Sequence, residues 1–167
     1  IICGFLGCDV QPFNPLIEAL PRMLHLRSGG ADAWIAQFAK QAIFESRAQR
    51  PGGEAMLARM SEMMFVDAVR RYADSLPAES SGWLAGLRDR FVGRALALMH
   101  ERLADPWTVT DLASKVAMSR SAFAARFSSL VGEPPLAYLT RWRMHRASRL
   151  LSEGVLRVHE IAAQVGY

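Results

Sequence analysis

The stretch Val109-Thr110-Asp111-Leu112-Ala113-Ser114-Lys115-Val116-Ala117-Met118 decides how this chain folds, because its pattern returns at Val158-His159-Glu160-Ile161-Ala162-Ala163-Gln164-Val165-Gly166-Tyr167. Leu112 corresponds to Ile161, Ala113 to Ala162 and Val116 to Val165. Each copy reads as a short helix running into a tight turn. Thr110 is expected to cap the first copy, with Asp111 favourable at its positive end. Beyond the turn at Ala117-Met118, Ser119 is placed to cap a second helix that runs to Val131. Phe123, Phe127 and Leu130 recur there at the spacing of a buried stripe. The span 109–131 therefore predicts a helix-turn-helix, the form in which a second helix enters a DNA major groove. The second copy, 157–167, stops where its own second helix would begin.

The outer face of the predicted second helix holds Ser121, Ala124, Ala125 and Ser128, with Arg120 and Arg126 on its flanks. Small residues let a helix axis approach base edges closely. Ala methyls can meet thymine methyls, and Ser can hydrogen-bond to groove atoms. The arginines suit phosphate or guanine. An amphipathic helix with a small, solvated face is the plainer account of the same residues. The preceding helix, the turn and the repeat favour the reading helix.

Pro134-Pro135 opens a connecting helix over 135–152, since Pro is tolerated in a first turn. Leu136, Leu139, Trp142, Ala147, Leu150 and Leu151 make its core side. Arg141, Arg143, Arg146 and Arg149 make it basic, either as a solvated face or as a grip on the DNA backbone between two grooves.

Charge follows the same division. Residues 1–107 hold 12 basic and 12 acidic residues, whereas residues 108–167 hold 8 basic and 4 acidic, so the whole net charge of +4 lies in the C-terminal part. Only Lys40 and Lys115 are lysine among the 20 basic residues. Such an arginine bias fits nucleic acid or a GC-rich coding sequence, and the concentration of charge favours nucleic acid.

Upstream, Ile1 to Leu6 reads as a strand leaving a sheet, and Pro12, Asn14 and Pro15 as a turn. Trp34, Ile35, Phe38, Ala42 and Ile43 predict a helix over 31–49, and Met56, Leu57, Met60, Met64 and Val69 a second over 54–76. A Pro-Gly turn at 50–53 makes them a hairpin. The second helix is apolar around much of its circumference, which points to a dimer interface as well as a core. Residues 83–103 predict one further helix with Leu84, Leu87, Phe91, Ala95, Leu98 and Met99 on one stripe.

The 167 residues allow one good-sized core or two small ones, and 51% hydrophobic residues exclude a disordered chain. No apolar run approaches the roughly 20 residues of a membrane span. The chain opens without Met and reads as a piece of a longer protein, with sequence missing at both ends. Cys3 and Cys8 are too few for a disulfide scaffold and lack zinc spacing, so a cytoplasmic protein is expected. His25, His100, His145 and His159 show no ligand spacing, and there is no phosphate loop or nucleophile elbow. No catalysis, metal or cofactor is expected.

The string PWTVTDLASKVAMSRSAFAARFSSLVGEPPLAYLTRWRMHRASRLL, followed by VHEIAAQVGY, resembles the DNA-binding domain of the AraC/XylS transcription regulators. The pattern F-x-x-x-F-x-x-x-x-G-x-x-P falls on Phe123, Phe127, Gly132 and Pro135, with Tyr138, Arg143, Met144, Ala147 and Leu150-Leu151 at that family's spacing. Residues 3–21, CGFLGCDVQPFNPLIEALP, resemble the end of the cupin-type effector domain of one branch, which implies dimerisation for the hairpin. Two departures stand out. Ala117 takes a turn position that the family often gives to Gly, which implies some backbone strain. Ala125 stands where the family often has a basic reader. That implies modest base reading, with Arg126 fixing the helix to phosphate or to its neighbour.

The expected fold is all-α: a helical hairpin, then an AraC-type helix-turn-helix domain whose second helix-turn-helix is incomplete, with a remnant of a β effector domain at the N-terminus. The expected divisions are 1–27, end of the cupin-like domain; 28–77, hairpin and dimerisation; 78–82, linker; and 83–167, DNA-binding domain. The expected function is a sequence-specific regulator of transcription that binds double-stranded DNA through Arg120, Ser121, Ala124, Ala125, Arg126, Arg141 and Arg143. The expected partners are DNA, a second copy of the chain and a small-molecule effector acting through the missing N-terminal domain, without a membrane. The alternative is an effector-sensing or dimerisation module whose helix-turn-helix does not engage DNA in this form.

Overall fold

The computed structural model describes residues 14–25, 33–48, 50–77 and 80–167. Among them all regular structure is helical: α1 (Pro15–Ala19), α2 (Ala33–Ala48), α3 (Gly53–Ser75), α4 (Trp83–Arg88), α5 (Val92–Glu101), α6 (Val109–Lys115), α7 (Arg120–Val131), α8 (Pro135–Glu153) and α9 (Val158–Val165). They fall into two compact units, one from residues 20–75 and one from residues 14–19 with 76–167.

The expected β remnant, and with it the cupin-type branch, is corrected here. No strand occurs among the described residues. Within the span 1–27 the described part contains α1, for a local reason. The Asn14 side chain accepts the Ile17 backbone N–H at 3.2 Å, and Pro15 fits a first helical position. The strand expected at Ile1 to Leu6, and both Cys3 and Cys8, lie outside the described residues.

In the first unit α2 and α3 pack as a hairpin. Arg50, in the connecting turn, donates to the buried carboxylate of Glu45 at 2.6 Å. Trp34 and Phe38 meet edge to face, and Met60 is buried. Phe44, Met56, Met63 and Val66 stay exposed.

In the second unit the core gathers Val92, Ala95, Leu96 and Met99 of α5, Leu112 and Ala113 of α6, Phe123 and Phe127 of α7, and Tyr138 and Leu139 of α8. A smaller core of Leu150, Ile161 and Val165 joins α8 to α9. The single helix expected over 83–103 is two, α4 and α5. Asp89 breaks it: its Oδ1 accepts the backbone N–H groups of Phe91 at 3.0 Å and Val92 at 2.9 Å, which caps α5. Gly93 makes the sharp junction possible, since a Cβ there would lie 2.4 Å from the Leu87 carbonyl oxygen.

Tyr138 is fully buried yet satisfied. The Trp83 indole N–H donates to its oxygen at 2.9 Å, which leaves the Tyr138 O–H to donate to His100 Nε2 at 2.8 Å. Burial pushes the Tyr138 phenol up to about 12 and holds His100 below the ordinary histidine value. Trp142 stacks on His100 with ring centres 4.5 Å apart, so one polar thread locks α4, α5 and α8 together.

Candidate nucleic-acid interface

The cap of α6 is Thr108, not Thr110. Its Oγ1 accepts the Asp111 backbone N–H at 3.1 Å, and the Asp111 carboxylate accepts the Thr108 backbone N–H at 3.1 Å. This reciprocal box satisfies two N–H groups that a helix start otherwise leaves bare. The Thr108 hydrogen bonds hold the Asp111 carboxyl below its usual value. In the second copy Glu160 likewise accepts the Arg157 backbone N–H, at 2.7 Å.

The turns match as well. Met118 N–H donates to Ala113 O at 2.9 Å, and Tyr167 N–H donates to Ala162 O at 2.9 Å. Ala117 takes φ +56°, and Gly166, its counterpart, φ +86°. The repeat seen in the sequence is thus a repeat of backbone geometry.

Ser119 caps α7, accepting the Ala122 N–H at 3.3 Å. Phe123 and Phe127 are 0% exposed and anchor its inner face. On the other side Arg120, Ser121 and Ala125 are exposed, and Ala124 and Ser128 half-buried. With Val109 and the Pro134–Leu136 edge these five line an open, mainly apolar groove of about 570 Å³. Among the described residues Arg120 has no ion-pair partner.

The remaining three expected contact residues are not gathered in that groove. Arg126 Nε donates to the Asp89 carboxylate at 2.9 Å, and its Nη2 reaches the same oxygen. Its guanidinium also lies 5.7 Å from the Phe91 ring centre. Burial would push the Asp89 carboxyl up, but the Arg126 hydrogen bond, the Val92 and Phe91 N–H groups and the Arg126 charge together hold it below the usual value. Arg141, exposed on α8, pairs with Glu133. Arg143 turns inward: Nε donates to Leu103 O at 2.9 Å, Nη2 to Asp105 O at 2.6 Å and Nη1 to Gly166 O at 3.4 Å.

Sequence reasoning missed Asp89, the Thr108 box, the Trp83–Tyr138–His100 thread and the inward course of Arg143. A signal existed for two of them. A Gly inside a helical run, as at Gly93, weakens a one-helix reading, and Thr-x-x-Asp is a capping pattern. The other two rest on contacts between residues distant in sequence.

A short helix, a left-handed turn and a second helix with one face anchored and the other open define a helix-turn-helix DNA-binding unit. A family model described as "Helix-turn-helix domain" matches residues 112–167. One described as "Cupin" matches residues 1–74, where all regular structure among the described residues is helical. The chain is 41% identical to an AraC-like protein of Streptomyces lividans over 168 residues, 100% of this chain and 55% of that one. It is 34% identical to the HTH-type transcriptional regulator AlkR of Acinetobacter baylyi over 95% of this chain and 53% of that one. It is 31% identical to the RCS-specific HTH-type transcriptional activator RclR of Escherichia coli over 100% of this chain and 59% of that one. No solved structure matches the chain. The chain spans about half the length of the curated relatives it matches. It carries a helix-turn-helix domain, and the relatives named here are AraC-like or HTH-type regulators of transcription. Among the described residues no helix is long and apolar enough to cross a membrane.

Proposed function

We propose that this chain regulates transcription in the bacterial cytoplasm by laying α7 into a DNA major groove. The observation that carries this is the open groove face of α7, held outward by the buried Phe123 and Phe127. Arg120 stands at its first turn with a side chain available for a phosphate or guanine. Ser121, Ala124 and Ala125 bring small side chains against base edges, and the alanine methyls favour thymine methyls. Arg126 and Arg141 are held in ion pairs and Arg143 is turned inward, so we assign these three to holding the unit. The exposed Phe44, Met56, Met63 and Val66 of the hairpin support a homodimer. A small-molecule effector would act through the N-terminal half of a regulator of its relatives' length.

The test is a salt titration of duplex binding by the chain and by Arg120→Ala. Loss of Arg120 should weaken binding several-fold and flatten the logarithmic salt dependence by about one phosphate contact. Equal affinity of both proteins at every salt concentration would remove Arg120 from the interface. Replacing thymine by uracil in a bound duplex, which deletes only the C5 methyl, should weaken binding further if the alanines read it.

A further inference from the structure

Asp89 has two jobs that meet at one carboxylate. Its Oδ1 caps α5 through Phe91 and Val92, and its Oδ2 takes both Arg126 contacts. The two oxygens thus tie the start of α5 to the middle of α7. The Asp89 side chain is 10% exposed and Arg126 47%, so the anchor is largely sheltered and the cation largely in solvent. Arg126 follows Ala125 by about 100° around α7. Its side chain is exposed on the flank of α7 beyond Ala125, where Asp89 and the Phe91 ring hold it.

We infer that Asp89 is a positioning residue for DNA reading, fixing α7 through Arg126 and withholding that cation from the DNA backbone. This rests on the assignment of α7 as the reading helix. The physical effect is on specificity. A free arginine beside the groove adds the same phosphate contact on every sequence, so it strengthens wrong and right duplexes alike. Held by Asp89, it supplies orientation without indiscriminate grip. The backbone N–H groups and Arg126 favour the carboxylate over the acid, so the holding charge persists wherever DNA binding is measured near neutral pH.

The experiment compares the 167-residue chain with Asp89→Asn, Arg126→Gln and the double variant across salt, on a duplex selected by the unaltered chain from a random library and on a random-sequence duplex. Asparagine keeps an oxygen to cap α5 while removing the charge that holds Arg126. Asp89→Asn should bind the random duplex several-fold more tightly at low salt, steepen the logarithmic salt slope by about 0.9, the value of one more phosphate, and narrow the preference for the selected duplex. Arg126→Gln alone should leave the slope as it is, and in the double variant should cancel the gain. A slope unchanged by Asp89→Asn, with affinity falling on both duplexes, would make Asp89 merely a structural cap and overturn the inference. So would Arg126→Gln alone flattening the slope by about 0.9, since Arg126 would then already lie on a phosphate. Absence of salt-dependent binding to any duplex by the unaltered chain would instead sink α7 as the reading helix, and the inference with it.

Discussion

Ala117 and Gly166 occupy equivalent turns, both at positive φ, and only one is glycine. An L-residue at φ +56° brings its Cβ against the following carbonyl, at a cost of about 1–2 kcal/mol. Glycine avoids that clash but gives up about 0.5–1 kcal/mol of chain entropy. Ala117→Gly should therefore raise the stability of the second unit by about 0.5–1 kcal/mol, measurable as a higher midpoint in urea. Gly166→Ala should do the reverse, because its Cβ would fall 2.6 Å from Ala104 O and 2.8 Å from the Arg143 guanidinium. The strain at Ala117 was legible in the sequence only through the family resemblance, which often has Gly at that turn. The crowding at Gly166 was not, because it comes from residues in two other elements.

At the scale of elements, three helices of the second unit are each opened by a side-chain cap, whereas α8 is opened by Pro134 and Pro135. Thr108 with Asp111 opens α6, Ser119 opens α7 and Asp89 opens α5. Thr108→Ala should cost about 1 kcal/mol of stability by denaturant titration, whereas Thr110→Ala, which removes no cap, should cost much less. The folded pKa values of Asp89 and Asp111 lie below the unfolded value of 3.8. Their contribution is thus present above 3.8 and lost as pH falls through the lower folded values. The apolar spacing located α6, α7 and α8 because each shows one face to a common core. It merged α4 and α5 because Leu84, Leu87, Phe91 and Ala95 keep helical spacing across the break. What ends α4 is a hydrogen bond and a glycine, neither of which alters the hydrophobic pattern.

Across the second unit, two long-range devices hold the elements in register. His100 accepts the Tyr138 hydroxyl in a sheltered site, and its folded pKa lies below the unfolded value of 6.5. The unfolded chain therefore binds a proton that the fold resists. Stability should fall as pH drops through 6.5 toward the lower folded value. Urea midpoints between about pH 8 and about pH 5.5 should show that fall, and His100→Gln should lessen it. Arg143 joins the loop after α5 to the turn after α9 through three carbonyls. Arg143→Lys cannot reproduce that fork and should speed amide exchange in α9 more than in α5.

The placing of charge shows how far the sequence alone reaches for the whole molecule. It located the basic part at 108–167 and the repeat within it. It left Arg126 between phosphate and the neighbouring helix and did not reveal the inward course of Arg143, since an ion pair with Asp89 or a carbonyl at Leu103 leaves no mark on composition. The β remnant expected at the N-terminus came from the strand-like run Ile1 to Leu6 and from resemblance over residues 3–21, and the described residues there obey local capping at Asn14 instead.

Sequence reading by α7 is what sets this chain apart from a helix that merely grips the DNA backbone. A binding selection with the 167-residue chain on a random duplex library at moderate salt tests it most directly. Enrichment of one short motif, about a half-site long, is expected, and it should be lost when Ser121, Ala124 and Ala125 are replaced by bulkier residues. Salt-sensitive binding with no enriched motif would contradict it, leaving a helix that grips the backbone without reading bases.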